Sequence, residues 1–246
     1  MSFPKRPVAN PAAECRLVVV QDNLHQCPYL DDQVARMPLE LPIGPVTGKV
    51  TDWLLERGYR RSGNFVYTTQ CGGCRECKPT RLRPTEFRWG KSFKRVLARC
   101  ERELTWTWGK PGADQRRVDL FNAHRDGRNL GRDDHRVTLD SYQAFLTESC
   151  CHTMELAFYR EGSLIGASIV DVGQRSLSAV YTYFDPAESN YSIGTLAILR
   201  QVLWAREHDF DWLYLGMYVA ENRHLNYKAR FGPQQRLIDG RWVTID

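Results

Sequence analysis

The sequence predicts an α+β protein in which a mixed sheet flanked by helices follows a smaller α+β domain. Residues 153–184 contain apolar, alternating stretches separated by turn residues, which is typical of an antiparallel meander. Residues 177–218 then show the pattern of strand, helix and strand that joins two parallel strands. Both kinds of pairing in one half of the chain indicate a mixed sheet. We expect two domains, one over residues 1–103 and the other over residues 104–246.

The composition is ordinary for a soluble globular protein, with 42% hydrophobic and 26% charged residues among 246. No apolar run is long enough to cross a bilayer, and the N-terminal stretch lacks the apolar core of a signal peptide. These features predict a cytoplasmic protein without a membrane partner. Eight cysteines in a chain of this length do not indicate a disulfide scaffold, so clustered cysteines suggest metal or thiol chemistry.

The first half is predicted to contain short strands and one early helix. A polar tail over residues 1–14 precedes a strand at residues 15–20. Residues 47–57 are predicted as a helix, because apolar side chains recur on one face and Gly58 follows as a stop signal. Further strands are predicted at residues 64–67 and 79–83.

Three cysteines in the first half form the most distinctive local motif of the chain. Cys71, Cys74 and Cys77 are spaced by three, with glycines between the first two. Thiols at this spacing can bind zinc or an iron–sulfur cluster, and Cys27 is a candidate fourth ligand. Structural zinc sites usually show two paired sets, whereas only one set is present here. Reduced thiols in a tight turn are an equally good interpretation.

A strongly basic helix is predicted over residues 89–103, capped at Ser92. Its apolar residues recur at helical spacing and form one buried face, so the charged residues must point outward. Such a surface fits phosphate groups, since phosphate contacts need cations more than exact geometry. A merely solvated helix face is the alternative. The cations in question are Arg88, Lys91, Lys94, Arg95, Arg99 and Arg102.

The second half is predicted to place a loop and a helix start beside the end of a central strand. Helices are expected at residues 114–125 and 139–149, and the chain ends in a hairpin that turns at Asp239. Ser192 and Thr195 are plausible helix caps, and Gly194 allows a ligand to approach the backbone. A helix N-terminus placed in this way can hold an anion or a developing oxyanion. An ordinary crossover with a glycine turn is the alternative.

Residues 227–230 follow the last central strand, so Tyr227 and Lys228 are expected to reach into the cleft that this strand borders. Lys228 and Arg230 alternatively extend along the surface beside Phe231. The chain contains neither a defensible Ser-His-Asp order nor a Walker-type loop. Any acyl transfer must therefore use a donor that is already activated.

Seven stretches of the chain, in this order and spacing, resemble one protein family. They are residues 26–30, residues 57–63, the Cys71, Cys74 and Cys77 motif, residues 178–186, residues 192–195, residues 214–216 and residues 227–231.

The family that they resemble is the bacterial aspartate/glutamate leucyltransferases, which are aminoacyl-tRNA–protein transferases related to the eukaryotic arginyl-tRNA–protein transferases. The resemblance runs from about Cys27 to Trp242. It implies a C-terminal domain of the GNAT type and transfer of leucine from leucyl-tRNA to proteins that begin with Asp or Glu, which marks them for degradation. It implies no required cofactor and no DNA partner. Eukaryotic relatives bind an iron–sulfur cluster through differently spaced cysteines.

The chemistry of such a transfer suggests a role for each candidate residue. The ester of the donor is already activated, and an acceptor α-amine with a pKa near 7.7–8.0 is partly nucleophilic at neutral pH. The enzyme must align both groups, stabilise an oxyanion and bind an acidic side chain with cations. We expect Tyr181, Lys228 and Gly194 to be catalytic. The expected substrate-binding residues are Arg60, Arg61, Tyr183, Asp185, Ser192, Met217, Tyr227 and Arg230, with the leucyl side chain between Tyr181, Tyr183 and Met217, and tRNA on the basic helix.

Two other functions compete with this interpretation. An acetyl-CoA-dependent acetyltransferase usually has a glycine-rich pyrophosphate loop with a preceding Arg or Gln, whereas here Gly194 is the one glycine of its loop. A non-enzymatic RNA-binding protein stabilised by metal is the second alternative. Binding of acetyl-CoA, metal content and the presence of a cleft in the second half distinguish these possibilities.

Overall fold

The computed structural model describes residues 15–130 and 135–245. The predicted polar tail at residues 1–14 lies outside the described residues. Within them, no helix is long and apolar enough to cross a membrane.

The first part of the chain forms a small antiparallel sheet against one helix. The helix, α1 (Gly48–Glu56), begins after Thr47, whose side chain accepts a hydrogen bond from the backbone of Val50. Val50 and Leu54 of this helix pack against Cys15 and Val66. The strands are β1 (Arg16–Gln21), β2 (Leu24–Gln26), β3 (Val34–Arg36), β4 (Leu39–Ile43), β5 (Arg60–Ser62) and β6 (Phe65–Tyr67); β1, β4, β6 and β5 form one sheet in that order, and β2 pairs with β3.

A larger mixed sheet dominates the described part of the chain. Its strands are β7 (Lys78–Leu82), β8 (Thr105–Gly109), β9 (Thr153–Arg160), β10 (Ser163–Val172), β11 (Ser176–Phe184), β12 (Trp212–Tyr218), β13 (Gln234–Ile238) and β14 (Arg241–Ile245). Their order is β14-β13-β7-β12-β11-β10-β9-β8, and β11 and β12 run parallel to each other, whereas the other neighbours are antiparallel. The sheet therefore confirms the predicted α+β class with a mixed sheet.

Strand β7 precedes residue 104 in the chain but lies between β12 and β13 in the larger sheet. This strand therefore belongs to the sheet of the second predicted domain although it lies in the first part of the sequence. The predicted domain boundary between residues 103 and 104 stays a prediction. Sequence patterns do not reveal such a pairing, because its partners are more than a hundred residues away.

Helices cover both faces of the larger sheet. They are α2 (Lys91–Glu103), α3 (Gln115–Arg128), α4 (Leu139–Tyr142), which a π-helical turn at Gln143–Thr147 continues, and α5 (Ile193–Glu207); 3-10 turns lie at Pro84–Glu86, Pro186–Tyr191 and Asn226–Arg230. Leu156 and Phe158 of β9 pack with α2 and α5, whereas Ala157 between them packs with α3 and α4. Alternating side chains of one strand point to opposite faces, so the two helix pairs lie on opposite sides.

The two parallel strands pair only at their beginnings. Residues 176–178 of β11 are paired with residues 212–214 of β12. Beyond this point the strands separate, and β12 has an irregularity between Tyr214 and Gly216, where Gly216 adopts a φ of 84°. We call the space between residues 179–184 of β11 and residues 215–218 of β12 the strand opening. A parallel pair joined by helix α5 and parting at its carboxyl ends gives the sheet its GNAT-like form.

Two predicted helix details are wrong. Helix α2 begins at Lys91 after Gly90, and no side chain caps it, so Ser92 lies inside the first turn. The helix predicted at residues 139–149 is α-helical only to Tyr142 and continues as the π-helical turn. Backbone carbonyls of this turn accept hydrogen bonds from Arg61 instead of completing a regular helix. Arg61 lies 84 or more positions away in the sequence, so local patterns do not predict this contact.

Candidate active site at the strand opening

Lys228 lies against β12 at the border of the strand opening. It lies on the 3-10 turn Asn226–Arg230, and its Nζ donates a hydrogen bond of 2.7 Å to the carbonyl oxygen of Met217. The side chain runs past Gly216, where an added Cβ would lie 4.0 Å from Cε of Lys228. Burial, with a smaller contribution from the charge of Arg60, lowers the pKa of Lys228 to about 7. A substantial fraction of this amine is therefore neutral at physiological pH.

Arg60 is the second buried cation near the opening. Its residue is 7% exposed, and its Nη1 donates to the carbonyl oxygen of Tyr59 at 3.1 Å. Among the described residues, neither Nε nor Nη2 of Arg60 has a hydrogen-bond partner. Burial lowers the pKa of this guanidinium, and its carbon lies 5.7 Å from the ring centre of Tyr214 on β12. Unpaired buried donors are rare in folded proteins and often indicate a functional site.

Arg61, the next residue, forms a buried structural ion pair. Its Nε donates to both carboxylate oxygens of Asp171 at 2.9 and 3.0 Å, and both side chains are buried. The remaining donors contact backbone carbonyls of the π-helical turn. Thr153 completes the site by donating to Asp171 at 2.7 Å. Arg61 therefore ties β5 to β10, and a role in binding substrate stays a prediction.

The residues predicted to hold the leucyl side chain differ in how they are placed. Tyr181 is half-buried between Phe121 and Phe145, with ring centres at 5.2 and 5.9 Å, and burial raises its pKa. Tyr183 is fully buried, and its hydroxyl lies 2.6 Å from that of Tyr142. Met217 is also buried, and its carbonyl binds Lys228. These three side chains border the opening from two strands, but a leucyl pocket stays a prediction.

The start of α5 is held by backbone contacts rather than by a side-chain cap. Ser192 occupies the cap position with a φ of 53°, yet its side chain makes no capping hydrogen bond. An added Cβ at Gly194 would find its nearest atom 3.8 Å away, so packing within the described residues does not demand glycine there. Asp185 accepts a hydrogen bond of 3.0 Å from the backbone of Ala187 and thus stabilises the preceding turn. The proposed roles of these residues toward substrate are untested.

The basic helix α2 presents its cations to solvent. Phe93 and Cys100 are buried beneath it, whereas all the predicted phosphate-binding residues, including Arg88 before the helix, are exposed. Arg99 donates to the carbonyl oxygen of Asn190, in the turn before α5, at 2.9 Å. At the other end, exposed Arg230 lies 5.8 Å from the ring centre of Phe93. The helix consequently runs between the two turns that follow β11 and β12.

Sequence patterns did not identify two histidines near the opening. His124 on α3 is buried, its ring centre lies 4.6 Å from that of Phe184, and burial lowers its pKa to about 4. Burial also lowers the pKa of His224, and in the described part of the chain Nδ1 of each histidine lacks a hydrogen-bond partner. Arg128, exposed at the end of α3, depresses both values. The only sequence signal is that His124 follows Val118 and Phe121 at helical spacing, which predicts burial but no role.

Tyr227 lies beside Lys228 on the same turn. Its ring centre is 6.2 Å from that of Phe231, and burial raises its pKa. The nitrogen of Lys228 is 5.4 Å from the centre of the Tyr227 ring. The predicted position of both side chains next to the end of β12 agrees with this geometry.

The cysteine loop leads directly into β7, where Lys78 and Pro79 pair with Tyr218 and Met217 of β12. Cys27, Cys71, Cys74 and Cys77 line a cavity of about 670 Å³ that the turn between β13 and β14 also borders. Burial, and then the proximity of the other three thiols, raises the pKa of Cys77 to about 12. However, no group of three or more potential ligands among residues 15–130 and 135–245 is arranged to hold a metal ion. The predicted zinc or iron–sulfur site therefore stays a prediction, and we derive no chemistry from one.

A mixed sheet in which a parallel strand pair parts beside a crossover helix is the GNAT-like form that the sequence predicted. Family models described as "Arginine-tRNA-protein transferase" match residues 25–95 with the N-terminal part and residues 116–238 with the C-terminal part. The chain belongs to this family of aminoacyl-tRNA–protein transferases.

Curated relatives agree with this assignment. The chain is 34% identical over 222 residues to an aspartate/glutamate leucyltransferase of Acinetobacter baylyi, covering 90% of this chain and 82% of the relative. It is 33% identical over 221 residues to the enzyme of the same name from Hahella chejuensis, covering 90% and 94%. Among solved structures, L-PGS from Bacillus licheniformis is similar with a TM-score of 0.46 and 13% identity, over 83% of this chain and 73% of that one.

Proposed function

We propose that this protein transfers leucine from leucyl-tRNA to the α-amine of proteins that begin with Asp or Glu. The observation that carries the proposal is the buried Lys228 at the border of the strand opening, with its Nζ on the carbonyl of Met217 and its pKa near 7. The names of the curated relatives support leucine as the donated residue and acidic residues as acceptors. We further propose that the reaction takes place in the cytoplasm and marks its products for degradation.

In the proposed reaction, the α-amine attacks the carbonyl carbon of the leucyl ester. A C–N bond forms, the C–O bond to the ribose breaks, and the ribose hydroxyl leaves. Because the pKa of Lys228 is close to the value of 7.7–8.0 expected for the α-ammonium group, proton transfer between them needs little free energy. Neutral Lys228 accepts one proton from the α-ammonium group and releases it to solvent. After the neutral amine has attacked, Lys228 accepts a second proton from the same nitrogen and donates it to the leaving ribose oxygen, so one proton is released overall.

The donor RNA is proposed to lie along α2. The exposed cations of this helix offer phosphate contacts, and the helix runs between the turns that border the strand opening. An acceptor arm bound there would direct its aminoacylated end toward Lys228. Gly194 and the backbone at the start of α5 are proposed to stabilise the oxyanion, while Tyr181, Tyr183 and Met217 receive the leucyl side chain.

A matched transfer assay tests this function. Purified protein is offered labelled leucyl-tRNA, arginyl-tRNA or acetyl-CoA together with peptides that differ only in a first residue of Asp, Glu, Asn or Ala. We expect label from leucyl-tRNA on the Asp and Glu peptides. Label from arginyl-tRNA or acetyl-CoA instead, or none from any donor, would contradict the proposal.

A further inference from the structure

The guanidinium of Arg60 carries a fork of two donors, Nε and Nη2, that lacks partners in the described residues. These two N–H groups lie on one edge of the planar guanidinium and point in nearly the same direction, which is the geometry that binds a carboxylate through two hydrogen bonds. The third nitrogen is anchored on the carbonyl of Tyr59. The side chain is therefore held in place while its carboxylate-binding edge has no protein acceptor.

Other arginines of this chain bind carboxylates through the same edge. Nε and Nη2 of Arg36 donate to the two oxygens of Asp22 at 2.8 and 2.5 Å. The same pair of atoms in Arg117 donates to Glu155, and in Arg175 to Asp211. The corresponding edge of Arg60 is buried, but no carboxylate of the described residues binds it.

Within residues 15–130 and 135–245, the acidic groups that influence Arg60 supply no competing anion. The nearby Asp171 is already bound by Arg61 and Thr153. The other acidic groups that influence Arg60 are phenols, and the pKa values of Tyr29, Tyr67 and Tyr214 are all raised, so these phenols are neutral at physiological pH. An isolated buried cation is costly, and a ligand carboxylate would offset that cost.

We propose that the fork of Arg60 binds the side-chain carboxylate of the first residue of the acceptor and selects an acid over its amide. The guanidinium carbon of Arg60 lies 5.7 Å from the ring centre of Tyr214 on β12, the same strand whose Met217 carbonyl binds Lys228. The charge of Arg60 also contributes to lowering the pKa of Lys228. A carboxylate held by Arg60 orients the adjacent α-amine toward Lys228. An amide presents an NH₂ group to one of the two donors, so Asn and Gln cannot fill the fork.

This inference rests on the proposed function, and its test separates the two. Arg60→Gln, Arg60→Lys and wild-type protein are compared with peptides that begin with Asp or Asn, in binding by calorimetry and in leucine transfer. We expect Arg60→Gln to raise KM for the Asp peptide by about 10²-fold, the scale of a lost charge-assisted pair, with a smaller change in kcat. The preference for Asp over Asn should fall toward unity, and lysine should restore it only in part. The exposed Arg57→Gln is the control for loss of one positive charge and should match wild type.

Folding is checked with the two adjacent arginines. Arg60→Met should keep or raise the midpoint of thermal unfolding, because it removes an unpaired buried cation, whereas Arg61→Met should lower it by leaving Asp171 buried and unpaired. An Arg60→Gln protein that is folded and still prefers Asp over Asn as wild type does would overturn the inference while the proposed function stands. Wild-type protein that binds Asp peptides selectively through Arg60 but transfers no leucine would overturn the function and leave the inference intact.

Discussion

At the scale of single residues, two neighbouring arginines on strand β5 make different contacts. Side chains alternate along β5, so Arg60 and Arg61 face different surroundings. Arg61 meets Asp171 across 110 positions of sequence, whereas Arg60 meets no acid in the described part of the chain. The family resemblance and the chemistry of the transfer predicted that both could bind an acidic substrate. Only the fold distinguishes the arginine that holds the structure together from the arginine with free donors.

The lysine at the strand opening gives a residue-scale test of the chemistry. Lys228→Met keeps the length of the side chain and removes the amine. If Lys228 accepts the proton of the acceptor, the rate of leucine transfer should fall by about 10²-fold or more, the usual contribution of a general base. The rate is measured in single turnovers with preloaded leucyl-tRNA. The exposed Lys49→Met is the control; full activity in Lys228→Met would remove this residue from the mechanism.

The same substitution tests the lowered pKa through stability. An unfolded lysine titrates near 10.4, so between about pH 7 and 10.4 the unfolded chain binds more protons at Lys228 than the folded chain does. Lys228 therefore makes wild-type stability rise with pH across this window. Lys228→Met lacks that contribution. The free energy of unfolding of the variant minus that of wild type should therefore be largest at pH 6 and smaller at pH 10. Urea unfolding at both values measures this difference; an equal difference at the two pH values would show an ordinary pKa.

At the scale of elements, strong local patterns predicted structure well, and distant partners account for the exceptions. The crossover from β11 through α5 to β12 and the buried face of α2 follow from periodicity, which local sequence contains. The insertion of β7 between β12 and β13 does not, because it depends on pairing across the whole chain. In the candidate site, the position of Lys228 was predictable from its place after a strand. The burial of His124 and the free donors of Arg60 required the packed structure.

The helix α2 gives the element-scale prediction. Reversing Lys94 and Arg95 to Glu should weaken binding of tRNA and lower the salt dependence, because each lost phosphate contact removes roughly 0.7–0.9 from the slope of log affinity against log salt. Both side chains are exposed, so folding should be unchanged. Reversing Arg16 and Lys49, exposed on the small sheet and α1, controls for net charge. Equal slopes for the Lys94/Arg95 variant and wild type would place the RNA elsewhere.

At the scale of the whole molecule, the small sheet contributes directly to the site on the large one. Strand β5 brings Arg60 to the ring of Tyr214 on β12 and fixes Arg61 to Asp171 on β10. The carbonyl of Tyr29, also from the first part of the chain, accepts a hydrogen bond of 2.8 Å from Asn222 in the loop before Lys228. Residues far earlier in the sequence therefore contact both β12 and the loop that leads from it to Lys228.

The central claim is that the acceptor reacts at the strand opening, and photocrosslinking tests its location directly. A peptide with N-terminal Asp and a photoreactive second residue is irradiated with the full chain, and the adducts are mapped by mass spectrometry. We predict adducts within residues 214–218 and 222–230, suppressed by an unlabelled Asp peptide but not by the matching Asn peptide. The account would be contradicted by adducts in the cavity lined by Cys27, Cys71 and Cys77, with none at the strand opening, if the unlabelled Asp peptide suppressed them.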